Sequence, residues 1–167
     1  MNVTTALLPL LHSTSSPSFP STPSRIVNVA SFVGKLALLK NRQETMELVT
    51  SPSLSISELV GVVDQFVSDV TSQDHEEKGW PSSCYGMSKL AVIAYTKILA
   101  RDEHRGGGGN GKEEEEEKKE GESEGERSVI SVSVCPGWCQ TDMSSQSGVR
   151  TAEEGGRFCS SSFIFID

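Results

Sequence analysis

Two short β-branched runs constrain what this chain can fold into more than any other feature. Arg25-Ile26-Val27-Asn28-Val29-Ala30-Ser31 ends in small polar residues, and Val129-Ile130-Ser131-Val132-Ser133-Val134-Cys135 stops at Pro136-Gly137-Trp138. Both read as buried parallel strands with helical sequence between them. Open α/β sheets bind ligands beyond the carboxyl ends of their strands. Ser31 and the Pro136-Gly137-Trp138 turn are therefore expected to reach one crevice.

Between these runs lies Cys84-Tyr85-Gly86-Met87-Ser88-Lys89. Residues four apart on a helix stand one above the other, so Tyr85 and Lys89 share a face. A free phenol has a pKa of about 10, too high for efficient proton transfer near neutrality, and a nearby cation lowers it. The pair can therefore act as an acid and its tuner. Taken singly, each part has a plainer reading. A solvated Lys beside a half-buried Tyr is common on helices, Ser31 after a strand is ordinarily a turn or capping hydroxyl, and Pro-Gly is ordinary loop punctuation. Trp80 and Trp138 are by default packing residues, and Trp80 keeps that reading.

Three strings in this order change the balance: Asn28-Val29-Ala30-Ser31, the segment from Gly79 to Lys89, and Cys135-Pro136-Gly137-Trp138-Cys139-Gln140-Thr141-Asp142-Met143. Together they resemble the short-chain dehydrogenase/reductase family, and within it the NADPH-dependent carbonyl reductases. The resemblance implies an α/β fold, the second half of a Rossmann-like doubly wound parallel sheet. It makes Ser31 the hydroxyl that holds a substrate carbonyl oxygen, Tyr85 the general acid, and Lys89 the residue that tunes Tyr85 and bonds the nicotinamide ribose. Pro136, Gly137, Cys139, Gln140 and Thr141 become cofactor contacts, and Trp138 a wall of the substrate pocket. NADPH is the implied cofactor and a small-molecule ketone, aldehyde or quinone the implied substrate. Hydride delivery to a carbonyl carbon leaves an alkoxide, and Ser31 and Tyr85 are donors suited to that charge.

Several expected parts are missing from the sequence. A reductase of this kind holds the cofactor pyrophosphate on a Gly-rich strand-to-helix turn. The glycine cluster at 106–111 follows a helix and runs into acidic sequence, so it reads as a linker. Residues 1–11 resemble the closing turns of the family's helix before the serine strand. The family's asparagine on that helix falls upstream of Met1, and Asn2 is out of register with it. A signal peptide is the alternative for 1–11, weakened by Pro9 and the lack of a basic leader. The family's final strand and substrate lid are not recognisable after residue 156. The reading is of a partial domain, truncated at the amino end and at the carboxyl end.

The formal charge of −8 is mostly local: residues 112–127 hold nine Glu against three Lys and one Arg, a net −5. With no apolar face, residues 106–127 read as a disordered insert, and the Ser/Thr/Pro-rich residues 12–24 as a second, flexible one. Ser55-x-x-Glu58 is a capping box, followed at helical spacing by Leu59, Val62, Val63, Phe66, Val67 and Val70. That stripe reads as core. Its helix matches one inserted in the carbonyl reductase subgroup, where it goes with a monomeric state. Four cysteines without paired spacing read as free thiols, and Cys135 and Cys139 have no histidine nearby to complete a metal site. No nucleic-acid partner, no membrane contact and a cytoplasmic setting are expected. Two functions remain: a carbonyl-reducing oxidoreductase, or a non-catalytic remnant or interaction protein lacking the pyrophosphate site.

Overall fold

A computed structural model describes residues 2–13, 24–104 and 129–161 of the chain. The inserted segment at 106–127 lies outside the described residues, as do 14–23 of the Ser/Thr/Pro-rich stretch. His12 and Ser13, at the head of that stretch, instead close helix α1 (Asn2–Ser13). Helix α1 carries Pro9 and leaves Val3, Leu7 and Leu10 exposed.

Both β-branched runs form strands, β1 (Arg25–Val29) and β2 (Ile130–Val134). They pair in parallel with Arg25 opposite Ile130 and Val29 opposite Val134. The ladder continues one residue further, where the Ala30 N–H donates to the Val134 carbonyl at 2.7 Å. The expectation of two buried strands holds only for β2. Val129, Val132 and Val134 are buried, whereas β1 is half-buried and Val29 is 54% exposed. The reason is its outer edge: among the described residues β1 pairs with β2 alone.

One long helix, α4 (Cys84–His104), packs across this ladder. Asn28 of β1 donates to Thr96 Oγ1 at 2.9 Å, pinning strand to helix. On its other side α4 receives α3 (Ile56–Thr71), which begins at the expected capping box. The Glu58 N–H donates to Ser55 Oγ at 3.2 Å, and the Ser55 N–H to Glu58 Oε2 at 2.7 Å. Leu59, Val62 and Phe66 face inward and join Leu90, Ala94 and Ile98 of α4 in the core. Val67, by contrast, is 55% exposed. Burial of this apolar stripe contributes about 1.5–3 kcal/mol for each fully covered side chain. A short helix α2 (Gln43–Thr50) and two 3-10 turns, Phe32–Gly34 and Leu36–Leu39, complete the packing, with Leu39 fully buried.

The segment from α3 to α4 is fixed by a buried carboxylate. Asp69, 2% exposed, accepts from Lys78 Nζ at 2.6 Å, Trp80 Nε1 at 2.7 Å and Gln65 Nε2 at 2.9 Å. The Lys78 ammonium, helped by the Gln65 and Trp80 donors, holds the Asp69 carboxyl down at about 2 against the opposing effect of burial. Trp80 is a packing residue, 4% exposed, with Phe66 edge-on and the Arg42 guanidinium 3.8 Å from its ring centre. From this anchor the chain enters α4 through Ser83, whose Oγ accepts the Gly86 N–H at 3.0 Å.

Beyond β2 the chain makes a second, smaller parallel pair, β3 (Cys139–Gln140) with β4 (Arg150–Thr151), bridged by a 3-10 turn at Asp142–Ser144. Helix α5 (Ala152–Ser161) follows. Its start is a capping box: the Glu154 N–H donates to Thr151 Oγ1 and the Thr151 N–H to Glu154 Oε2. No described helix is long and apolar enough to cross a membrane.

Candidate active site

The carboxyl end of β1 delivers Ser31 into a turn that is locked onto α4. Ser31 caps the 3-10 turn Phe32–Gly34, its Oγ accepting the Val33 N–H at 3.4 Å. At the end of that turn Gly34 lies directly on the helix backbone. A Cβ there would stand 2.6 Å from both the Leu90 nitrogen and the Lys89 carbonyl carbon. Only glycine permits this approach. The hydroxyl-bearing turn is thus seated on the very stretch of α4 that carries Tyr85 and Lys89.

Lys89 completes the junction. Its Nζ donates to the Val29 carbonyl, the last of β1, at 2.9 Å, and lies 5.6 Å from the Tyr85 ring centre. The i, i+4 geometry therefore places the ammonium beside the phenol while tying it to the strand end. Tyr85, in the first turn of α4, is 49% exposed and lies outside the core. Ser31, Tyr85 and Lys89 are brought together at one end of the β1–α4 layer. The link from Lys89 to Val29 was not legible in sequence, because it spans 60 residues and uses a backbone acceptor.

The Pro136-Gly137 turn leaves the neighbouring strand at the same end. Gly137 has φ +82, a left-handed conformation that favours glycine, and Pro136 precedes it. Trp138 is 55% exposed and donates through Nε1 to the Ser147 carbonyl at 3.0 Å, while its own carbonyl receives the Val149 and Arg150 N–H groups. Cys139 and Gln140 are spent in the β3–β4 pair, and Thr141 caps the next 3-10 turn with Ser144. Arg150 was not singled out by the sequence. Its side chain flanks Gly137, so the turn carries a cation at its side.

All four cysteines are unpaired, Cys84 exposed and Cys135, Cys139 and Cys159 partly covered. Burial, and then the nearness of Cys135 and Cys139, push the Cys159 thiol above its ordinary value. No cluster of His, Cys, Asp and Glu suited to a metal ion occurs among the described residues.

Two surface grooves along α4 lie elsewhere. One of about 300 Å³ runs past Val49, Pro52, Lys97 and Arg101, and another of about 290 Å³ follows the α3–α4 seam past Val60, Asp64 and Val92. Neither includes Ser31, Tyr85 or Lys89.

No family model matches the chain. Curated proteins do. The chain is 35% identical over 156 residues to carbonyl reductase (NADPH) 3 of Mus musculus, an overlap of 92% of this chain and 46% of that protein. It is 37% identical over 155 residues to (+)-neomenthol dehydrogenase of Capsicum annuum, covering 92% of this chain and 40% of that protein. Among solved structures, salutaridine reductase from Papaver somniferum superposes with a TM-score of 0.73 at 29% identity, over 98% of this chain and 46% of that one. The chain thus spans about half the length of the relatives it matches.

Proposed function

This chain belongs to the short-chain dehydrogenase/reductase family, and from that membership we propose that it carries the proton-donating part of a site that reduces a carbonyl compound with NADPH. The observation that carries the reading is the interlock of Gly34 with the backbone of Lys89 and Leu90, which sets the Ser31 turn against the Tyr85–Lys89 face. The substrate is a small ketone, aldehyde or quinone. Ser31 holds its oxygen, and Tyr85 passes the phenolic proton to the alkoxide that develops there. Lys89 stands with its ammonium 5.6 Å from the Tyr85 ring centre, on the same helix face.

NADPH, when bound, supplies the hydride. Residues at this end of the sheet fit its nicotinamide end: the left-handed Gly137 turn lets backbone approach closely, and Lys89 offers an ammonium for a ribose hydroxyl. Pro136, Cys139, Gln140 and Thr141 line the loop that would hold the carboxamide and phosphates. No Gly-rich strand-to-helix turn for the pyrophosphate occurs among the described residues. With α3 already covering α4, the working unit is a monomer, and free thiols suit a cytoplasmic setting.

The exposed outer edge of β1, with Val29 54% exposed, favours one second reading, a non-catalytic protein that pairs with another chain. Titration of the chain with NADPH, followed by fluorescence or calorimetry, separates the two. Saturable binding supports the reductase, and its absence leaves the interaction protein. Tyr85→Phe is expected to lower carbonyl reduction by roughly 10²–10⁴-fold while leaving NADPH affinity nearly intact. A variant that keeps full turnover removes Tyr85 from the acid role.

A further inference from the structure

Three thiols from separate parts of the sequence lie on the loop after β2 and on α5, the helix that packs against it. Cys135 ends the strand run, Cys139 opens β3, and Cys159 lies in the third turn of α5. The contact between loop and helix is unusually close at one point. A Cβ on Gly155 would overlap Cys139 Sγ and stand 3.4 Å from the Pro136 carbonyl oxygen, so the helix rests on the sulfur itself. Gly155 is buried, and Cys159 follows it by four residues on the same helix face. Side chains on a helix lean toward its amino end, which swings the Cys159 sulfur back over the turn that covers Cys139 and Pro136. Cys139 Sγ is also oriented, bonding the Pro136 carbonyl at 3.4 Å. Burial, and then the Cys135 and Cys139 thiols, push the Cys159 thiol above its ordinary value.

We propose that Cys159 and the loop thiols Cys135 and Cys139 form an oxidation site, in which a hydroperoxide drives an intramolecular disulfide between Cys159 and one loop sulfur. A loop thiolate attacks the peroxide O–O bond, gaining an S–O bond as a sulfenic acid and releasing the alcohol or water. The Cys159 sulfur then attacks that sulfenic sulfur, its proton leaving with the hydroxyl as water. Two thiols lose two electrons in all, and one hydroperoxide is reduced to water and an alcohol, or to two waters. The bond staples α5 to the segment Pro136–Thr141. Where that segment holds NADPH, as proposed above, the staple fixes its conformation and links cofactor affinity to oxidation. The thiol chemistry itself does not depend on that assignment.

The test uses the full chain treated with a small excess of hydrogen peroxide, alkylated, digested and mapped by mass spectrometry without reductant. A peptide pair joined through Cys159 to Cys139 or to Cys135 is expected, two mass units below the sum of the free peptides. Cys84, which is exposed and lies on α4, remains alkylated. Cys159→Ser is expected to abolish the linked pair and leave the oxidised loop thiol as a sulfenic acid that dimedone traps on Cys135 or Cys139. A Cys135–Cys139 bond, bonds only between molecules, or Cys159 fully alkylated at peroxide levels that consume the loop thiols would each overturn the proposal. Thermal melts of the reduced variant confirm that it is folded, and Cys84→Ser serves as the control that leaves the bond in place. NADPH titration of oxidised and reduced chain is the second arm. A changed affinity ties the bond to the cofactor loop, and an unchanged one alongside the mapped disulfide retains the oxidation site while removing its link to that loop.

Discussion

Lys89 serves two neighbours at once. Its ammonium bonds the Val29 carbonyl at 2.9 Å and stands 5.6 Å from the Tyr85 ring centre, so one group fastens the strand end and faces the tyrosine. Lys89→Met is therefore expected to cost about 1 kcal/mol of stability through the lost strand contact, in addition to lowering both turnover and NADPH affinity. Chemical melts together with NADPH titration check this, and unchanged cofactor affinity would remove Lys89 from the ribose. The Tyr85–Lys89 relation was legible because helical spacing alone brings the two side chains to one face. The Asp69 cluster was not, since its partners Gln65, Lys78 and Trp80 converge only after the chain turns between α3 and α4. That cluster makes a prediction with a definite sign. The folded pKa of Asp69 is depressed to about 2, chiefly by Lys78, so its stabilisation is fully present above the unfolded carboxylate value of about 4 and is lost as pH falls through about 2. Asp69→Asn should lower the melting temperature at pH 7, and the gap between variant and parent should narrow from about pH 4 downward. Equal gaps at pH 7 and at the acid end would show that the carboxylate charge is not what holds this turn.

At the scale of elements, two glycines, one in the Phe32–Gly34 turn and one in α3, separate packing from propensity. Gly34 meets the α4 backbone with no room for a methyl group, whereas a Cβ at Gly61, in the exposed middle of α3, meets nothing within 4 Å. Gly34→Ala should push the Ser31 turn off Lys89 and Leu90, destabilising by about 1–3 kcal/mol and lowering turnover even though Ser31 and Tyr85 are intact. Gly61→Ala should instead stabilise by about 0.5–1 kcal/mol, because it removes the entropic cost of glycine in a helix. Paired urea melts give both values, and shifts of the same sign would contradict the packing described. The contrast also shows what sequence patterns can reveal. The capping box and stripe of α3 announce themselves locally, through hydrogen-bonding side chains and periodicity. The 3-10 turns and the eight-residue α2 do not, because helices so short form only with tertiary support. The half-exposure of β1 was illegible for a related reason: alternation and β-branching mark a strand, but its burial depends on which neighbours are present.

Across the molecule, the largest buried apolar cluster lies among α2, α3 and α4, with Ile26 of β1 packed against it. It runs from Leu39 and Val49 through α3 to Met87, Leu90 and Leu99 of α4, while Val3, Leu7 and Leu10 of α1, Val29 of β1 and Phe158 of α5 remain largely uncovered. Helix α1 is held near the end of α4 by the His12–Glu103 contact at 2.7 Å and by Ser24 Oγ on the Leu11 carbonyl at 2.8 Å, polar ties with little apolar area behind them. Segments with few buried contacts open at low free energy, and those at the centre of the core open only with global unfolding. Amide hydrogen exchange followed by mass spectrometry should therefore find the slowest amides in α3 and in the middle of α4, with α1 and α5 exchanging orders of magnitude faster and β1 in between. Such a gradient gives the proposed chemistry a rigid side and an adjustable one. Tyr85 and Lys89 ride on the helix that opens last, whereas the loop from Pro136 to Thr141 is backed by the lightly packed α5 and can adapt to a ligand. Protection in α5 equal to that of α4 would mean that the loop is held as firmly as the acid, and that distinction between the two sides of the site would be lost.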